Sequence, residues 1–511
     1  MRTSAWMEIV NDRLQVFCKV ENTRHPSYWD DARAAEVKAN IEKQLHELIH
    51  DCELARKQTP LHERLKDDIL PVYDERTKQH QANALRFLCS MKVSALFGDV
   101  GTQKSKIVID LCVSRFEAGE IKKVLVFLPV STRKNFQEQI DTWCTNKEIE
   151  WKLIGEESMS SSARAVFEAL EYADSETQII IDESHTVKNP TAKRSKRIKM
   201  VCDKTSYKVV MTGTPVTENV HNLYMQYAML SDLIIGVKNW LHFEKKYLII
   251  GGRSGTEVVG YKNLSHLISL IEPYTYQIDA SVLDLKAKDF YEFICDMNDE
   301  QCEHYYYEKE RLHELIKRDY LKATDIFHVF TRMQQISSGY YVHHRGDRKY
   351  LGTNKIQLLR ELNLNKKIVF FCKYLFEVDL IVDELGIDNC AIFTGDNRKE
   401  RDNQKDLFVN GDKKYFVATM QSGGTGLNGL QLVSDEVVFF SQSFSYFQMK
   451  QSIGRVDRPG QDHHVTVRYF RTTAKIDDRI LGCINRKENM SDEIKKLIND
   501  KTKLKSYVEG L

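Results

Sequence analysis

The 511-residue chain has almost no net charge: 74 Lys and Arg stand against 73 Asp and Glu, leaving +1. A globally basic coat for nucleic acid is thereby excluded, although a local basic cleft is not. Proline is scarce at 8 residues and glycine stands at 24, which argues against long disordered or collagen-like stretches. The 11 cysteines are scattered singly, with no CxxC pair, so neither a zinc ribbon nor a disulfide framework is indicated. A reducing, intracellular compartment is the expectation, cytoplasmic in a bacterial or phage-infected cell and nuclear in a eukaryote. The nearest approach to a cysteine cluster, Cys295, Cys302 and His304, reads as helix residues. Long apolar runs are also missing. The longest are short, such as Val124–Pro129 and Val437–Phe440, far below the roughly 20 residues that span a bilayer. The N-terminal stretch MRTSAWMEIVNDRL is interrupted by Glu8 and Asp12 and does not read as a secretory signal.

What is present is an ordinary globular composition, 42% hydrophobic, 10% aromatic and 29% charged, with material for more than one core and a length suggesting roughly three domains. Residues 1–70 are polar and helix-prone, with Asp30–Lys57 reading as a solvated helix; they are expected to form a mostly helical accessory segment. From about Pro71 short apolar strands alternate with amphipathic helices, the pattern of a parallel sheet with crossover helices. Candidate strands are Val93–Phe97, Val124–Leu128, Gln178–Asp182 and Lys208–Met211. Between about Lys286 and Gly339 the strands stop, and Tyr291, Ile294, Met297, Tyr305, Leu312, Leu315 and Ile316 suggest helices. Alternation returns at Lys367–Cys372, Cys390–Phe393, Tyr415–Ala418, Glu436–Phe440 and Val465–Tyr469. The expected fold is α/β: two parallel-sheet lobes, 71–285 and 351–511, joined by a helical insert at 286–350.

After the strand Val93–Phe97 comes Gly98-Asp99-Val100-Gly101-Thr102-Gln103-Lys104-Ser105, and then the helical run Lys106–Phe116. That order aims backbone N–H groups and a positive helix end at a phosphate. Lys104 would meet the β- and γ-phosphates and Ser105 would ligate Mg²⁺. Gln103 stands where the pattern GxxxxGK[ST] has its second glycine, and a side chain there crowds the phosphates or strains the loop. Alone, the segment also fits a generic strand–turn–helix. A second apolar strand ends in Asp182-Glu183-Ser184-His185. Asp182 can hold the Mg²⁺, and Glu183 can orient or deprotonate an attacking water. A third piece, Gln451–Gln461, places Arg455 and Arg458 three apart on one helical turn. From a second lobe they could stabilise charge on a transferring phosphate; alone, the pair fits an ordinary surface Arg–Asp helix better, because such pairs are common.

Seven ordered segments together resemble the SWI/SNF-type ATPases of helicase superfamily 2, the family of DNA translocases and chromatin remodellers. The resemblance runs from about Thr77 to about Lys487. Lys78-Gln79-His80-Gln81 resembles the upstream glutamine motif, Gly98–Ser105 motif I, and Leu128–Thr132 with Asn135-Phe136 motif Ia. Asp182–His185 followed by Lys188-Asn189 resembles the DExH box, and Met211–Pro215 with Asn219 motif III. Gln421–Asn428 resembles motif V and Gln451–Gln461 motif VI. The sequence departs from the family at Gln103, at Ser441 and Ser445, and at Tyr274–Gln277, where a basic stretch is usual. Without obvious chromatin-reading or zinc modules, the chain is more similar to the compact bacterial and bacteriophage members.

The resemblance implies two RecA-like lobes with ATP and Mg²⁺ between them. Gln81 would read adenine, and Gly98, Gly101, Thr102, Gln103, Lys104, Ser105, Gly426 and Asn428 would hold the nucleotide. Ser105 and Asp182 would hold the metal, and Lys104, Glu183, Arg455 and Arg458 would carry catalysis. Thr212 and Thr214 would couple the cleft to DNA. Ser131, Thr132, Lys188, Asn189, Thr394, Ser422 and Gly423 would contact nucleic acid, mostly at phosphate, because a translocase must ignore sequence. The basic run Lys193, Arg194, Lys196, Arg197 and Lys199 is weighed slightly toward DNA contact over a solvated helix face, and Tyr305–Tyr307 toward packing over base stacking. The expected activity is ATP-driven translocation on duplex DNA, by a chain favoured as a monomer, with residues 1–70 available to a protein partner. The alternatives are a strand-separating helicase, with room for a hairpin wedge in Ile249–Val259, and a nucleotide-gated DNA binder with little hydrolysis.

Overall fold

The computed structural model describes residues 2–10, 13–21, 35, 39, 43, 64–213, 215, 220–237, 239–251, 257–283, 285–317, 323–342, 347–397, 400–423, 427–490, 493–494 and 501–511. The chain divides into two units, Met1–Lys66 and Asp67–Leu511. In the first, Arg2–Val10 (β1) and Arg13–Glu21 (β2) pair as an antiparallel hairpin, with Trp6 opposite Phe17 and Ile9 opposite Leu14. This corrects the helical expectation for the start of the chain. The two nine-residue runs are rich in aromatic and branched residues, whose strand preference prevails here over helix propensity. Of the expected helix Asp30–Lys57, only Ala35, Ala39 and Lys43 lie within the described residues, and these are helical.

The second unit contains two six-stranded sheets in which every neighbouring pair is parallel. The first comprises Val93–Gly98 (β3), Lys123–Leu128 (β4), Glu150–Gly155 (β5), Thr177–Ile181 (β6), Lys208–Thr212 (β7) and Thr275–Ile278 (β10), in the order β10-β3-β7-β6-β4-β5. Helices on both faces bury Leu125, Ile180 and Val209 completely, which is why these strands read as unbroken apolar runs. β5 and β10, at the two edges, carry mixed sequences, and sequence patterning did not anticipate them. Because β3, β7 and β6 are adjacent, Gly98, Thr212 and Asp182 emerge side by side at the carboxyl end of the sheet, where ligands of open α/β sheets bind.

The second sheet comprises Lys288–Cys295 (β11), Ile368–Cys372 (β14), Cys390–Phe393 (β15), Tyr415–Thr419 (β16), Glu436–Phe439 (β17) and Val465–Thr472 (β18), in the order β11-β18-β17-β14-β16-β15. β11 lies inside the segment expected to be helical. Eight residues pair in register with β18 from Lys288↔Val465 to Cys295↔Thr472, and Phe290 stacks on Tyr469 across the strands. The spacing of Tyr291 and Ile294 is compatible with a helix, but pairing with a preformed sheet decides the conformation of so short a run. Two helices follow, Asp299–Lys317 and Ala323–Ser337. Leu312, Ile326, Val329 and Phe330 share one core with Phe371, Phe416 and Phe439 of the second sheet, so these helices belong to the packing of that lobe.

Two small antiparallel hairpins complete the strands: Leu248–Gly251 (β8) with Glu257–Tyr261 (β9), and Tyr340–Val342 (β12) with Arg348–Tyr350 (β13). The first occupies the stretch Ile249–Val259 and stands beside the aromatic group Tyr224, Trp240, Phe243 and Tyr247. Among the described residues no helix is long and apolar enough to cross a membrane.

Candidate functional site

A cleft of about 550 Å³ lies between the two sheets, lined from the first by Gly101, Gln103, Lys104, Ser105, Asp182 and Glu183 and from the second by Asn428, Arg455 and Arg458. The loop after β3 forms its floor. Gly101 sits at φ +89°, and a Cβ on Gly98 would lie 2.8 Å from the Thr102 hydroxyl oxygen, so the loop can fold back on itself only with glycine at these positions. Thr102 is buried and spends its hydroxyl on the Asp99 carbonyl at 2.8 Å; it braces the loop from within. The Lys104 ammonium donates to the Gly98 carbonyl at 2.7 Å. Burial depresses its basicity, while the charges of Glu183, Asp182 and Asp99 oppose that shift.

Gln103 takes the left-handed conformation, φ 58° and ψ 46°, immediately before the helix Lys104–Glu117. Its side-chain oxygen accepts a hydrogen bond from the Gln81 amide at 2.7 Å. Gln81 is 1% exposed, and its own oxygen accepts the Lys78 N–H at 2.8 Å.

At the end of β6 the Asp182 carboxylate accepts the Glu183 N–H at 2.9 Å. Glu183 is itself left-handed, at φ 48°, and its carboxylate meets the Thr212 hydroxyl at 3.1 Å and His185 Nδ1 at 3.3 Å. Burial and the neighbouring Glu183 charge raise the Asp182 carboxyl well above the ordinary range. For Glu183 burial works in the same direction, but the hydrogen bond and charge of His185, with Lys104 and Thr212, bring its carboxyl below the ordinary range. One carboxylate is thus held ionised beside another that binds its proton more tightly.

Both arginines come from the turn after the helix Tyr446–Ile453, which corrects the expectation that they share one helical turn: the helix ends at Gly454. Arg455 donates to the Leu427 carbonyl at 3.3 Å, while Arg458 donates to the same carbonyl at 3.2 Å, to the Gly454 carbonyl at 2.9 Å and to the Asn428 side chain. Burial disfavours both guanidinium charges; Glu183 and Asp182 relieve Arg455, whereas Arg455 aggravates Arg458. Cations brought together in a desolvated cleft favour an anionic ligand. Ser105 and Asp182 supply hard oxygen donors, the chemistry Mg²⁺ selects. Among the described residues no three His, Cys, Asp or Glu side chains cluster as a metal site. Gly426, Thr214 and Asn219 lie outside the described residues.

The lobes are tied directly across this cleft. Lys450 and Asp99, 351 positions apart, form an ion pair at 2.6 Å, and the second Asp99 oxygen accepts the Ala280 N–H at 3.0 Å. Sequence reasoning missed both residues, and a separation so long offers no local signal.

A second inter-lobe cleft, of about 580 Å³, contains Ser131 and Ser422 of the expected nucleic-acid residues, together with Lys134, Lys373, Arg401 and Lys405. Arg401 donates to the Thr394 carbonyl at 2.6 Å and to the Ser422 hydroxyl at 2.8 Å. The four cations were missed, although Arg401 and Lys405 fall four apart on one helix and so share a face. Other expected contacts lie elsewhere. Thr132 is buried on the nucleotide side with its hydroxyl on the Pro129 carbonyl. Asn189 caps Thr191, and neither it nor Lys188 lines either cleft. Gly423 packs where a Cβ would meet the Phe371 ring at 2.8 Å. The basic run after the DExH box is partly spent internally: Arg194 faces Glu156, Arg197 donates to the Met159 carbonyl, and Lys199 pairs with Asp203 and Asp232. Tyr305 is buried and accepts the Ile476 N–H, while Tyr306 and Tyr307 are exposed.

Residues 161–341 match the SNF2-related domain, and residues 354–460 match the helicase conserved C-terminal domain. The chain belongs to the SNF2 family. SNF2-type relatives include the putative ATP-dependent helicase/translocase YwqA of Bacillus subtilis, 21% identical over 91% of this chain and 53% of that protein. Another is the uncharacterized ATP-dependent helicase YqhH of the same organism, 20% identical over 74% of this chain and 71% of that one. The chain spans about half the length of the first of these. Among solved structures, the Sulfolobus solfataricus SWI2/SNF2 ATPase core in complex with dsDNA is similar, at 20% identity, covering 84% of this chain and 95% of that one with a TM-score of 0.39.

Proposed function

We propose that this SNF2-family protein is a DNA-dependent ATPase that moves on duplex DNA, remodelling protein–DNA complexes or DNA branches. The observation that carries the reading is the composite cleft: Lys104, Ser105, Asp182 and Glu183 from one lobe face Arg455 and Arg458 from the other across about 550 Å³. Neither lobe holds a complete set, so turnover requires closure.

The residues divide the work. An entering triphosphate draws Lys104 from the Gly98 carbonyl and the arginines from Leu427 and Asn428, exchanging neutral acceptors for charged ones. Ser105 and Asp182 would hold the Mg²⁺, which supplies neutralisation of charge developing on the phosphates. Glu183, ionised and fixed by Thr212 and His185, orients the attacking water and accepts its proton. Thr212 links that carboxylate to the end of β7, so the state of the cleft is sensed at a strand end. The second cleft, with Lys134, Lys373, Arg401 and Lys405, offers phosphate contacts without base readout.

Steady-state ATP hydrolysis measured alone and with single-stranded DNA, duplex DNA and RNA tests the reading. Stimulation by duplex DNA, lost in Lys104→Ala and Glu183→Gln, is expected. ATP binding without turnover on any nucleic acid would instead make the protein a nucleotide-gated binder.

A further inference from the structure

We infer that Gln103 is a positioning residue of the phosphate loop and that Gln81 serves as its strut, not as the reader of the nucleobase. The inference rests on the nucleotide-hydrolase reading and deepens it, since it describes how the site treats different nucleoside triphosphates.

A side chain in the left-handed region persists only when its surroundings hold it there. Gln103 occupies that region at φ 58°, ψ 46° directly before Lys104 and Ser105, so its backbone sets the direction in which the helix carrying both residues begins. The Gln81 amide is the side-chain partner that holds it, at 2.7 Å. Reading adenine with a glutamine takes the amide oxygen and nitrogen together, on the N6 and N7 edge. In Gln81 the nitrogen is engaged by Gln103 and the oxygen by the Lys78 N–H at 2.8 Å, and the residue is 1% exposed. Each of those atoms keeps one further donor or lone pair, but with the side chain buried the amide is turned toward Lys78 and Gln103 and not out to a base. Glycine at 103 would need no strut; glutamine there needs one, and Gln81 provides it. Triphosphate binding should then depend on Gln81 equally for every base.

The test measures dissociation constants of ribose-labelled fluorescent ATP and GTP analogues, alongside steady-state turnover of ATP and GTP. The proteins are wild type, Gln81→Ala, Gln103→Gly and the double variant, each checked by thermal melting. Gln81→Ala is expected to weaken ATP and GTP by the same factor, several-fold, leaving their ratio unchanged. In the Gln103→Gly background the same change should have little effect, because no strained side chain remains to be held. Loss of ATP affinity with GTP affinity intact, in either background, would show Gln81 reading adenine and overturn the inference. So would an undiminished effect of Gln81→Ala in the Gln103→Gly protein. If Gln81→Ala fails to fold, comparing the double variant with Gln103→Gly still decides. Binding without turnover in wild type would remove the hydrolase reading while the affinity ratios still judge the strut; binding of neither nucleotide would remove both.

Discussion

Glu183 is the residue at which geometry and charge converge: a left-handed backbone, two side-chain partners and a carboxyl kept below its ordinary range. Glu183→Gln keeps the shape and the Thr212 contact but removes the base. Turnover should fall by about 10² to 10⁴ with nucleotide affinity retained, as read by single-turnover kinetics beside a binding titration; an unchanged rate would relocate the base. Glu156 yields a prediction about stability. Burial pushes its carboxyl up to about 8, against the pull of the Thr186 hydroxyl and Arg194. The folded protein therefore binds an extra proton between the unfolded value of 4.5 and about 8, and stability from this group falls as pH rises through that window. Glu156→Gln keeps an acceptor for Thr186 and has no such titration. Its melting temperature relative to wild type should rise steadily from pH 5 to pH 8, and a flat difference would show that the carboxyl titrates normally. At this scale the sequence was most legible where one residue type has one chemical use: Lys104, Ser105, Asp182, Glu183, Arg455 and Arg458 all meet in one cleft. It was least legible where a polar side chain is spent inside the protein, as with Thr102 on Asp99, Asn189 on Thr191 and Gln81 on Gln103, because residue type and spacing do not show whether such a group faces a ligand or its own chain.

Among elements, interior strands announced themselves, and of the four edge strands of the two six-stranded sheets only the apolar β15 did. β3, β4, β6 and β7 are apolar on both faces; β5, β10 and β11 are edges with one neighbour each, and their mixed sequences follow from being half covered. β11 has the largest consequence. With the two helices after it contributing Leu312, Val329 and Phe330 to the second lobe's core, a fragment beginning at residue 351 would expose β18 and much of that core. A fragment of 286–511 should be monomeric with a cooperative melt, whereas 351–511 should aggregate, an outcome checked by size-exclusion chromatography and differential scanning fluorimetry. A cooperative 351–511 fragment would mean that β11 and its helices are an appendage. Between the lobes, the element-level contact is Lys450 with Asp99, backed by Val100 against Gly454, where a Cβ would come within 2.8 Å. The ion pair is partly exposed, so Lys450→Ala should cost no more than about 1 kcal/mol of stability. Its effect should appear in geometry: a wider distribution of inter-lobe distances without nucleotide, by spin-label distance measurement, narrowing when ATP binds. A distribution identical to wild type would rule out the pair as a tie between the lobes.

For the whole molecule, the charge balance limits how DNA can be held. With a net charge of +1 there is no long-range attraction to concentrate the protein on DNA, so affinity must come from cations gathered locally. The second cleft gathers four basic side chains, Lys134, Lys373, Arg401 and Lys405, beside Glu138, Glu157 and Asp402; Asp402 pairs with Lys134 at 3.1 Å until phosphate displaces it, and burial lowers the Lys373 ammonium to about 7 until a phosphate holds its charge. If each neutralises one phosphate, the logarithm of the duplex binding constant should fall against the logarithm of salt concentration with a slope of about −3 to −4. Lys134→Ala should reduce that slope by about 1 while weakening all sequences alike, and it should leave turnover without DNA unchanged, because Lys134 does not line the nucleotide cleft. Fluorescence anisotropy on two unrelated duplexes across a salt series supplies the measurement. A slope steeper than about −6 would require a further basic face beyond the cleft. A Lys134→Ala slope equal to wild type would place the DNA elsewhere on the protein, and the two clefts would then have to be coupled through some element other than Thr212 and the end of β7.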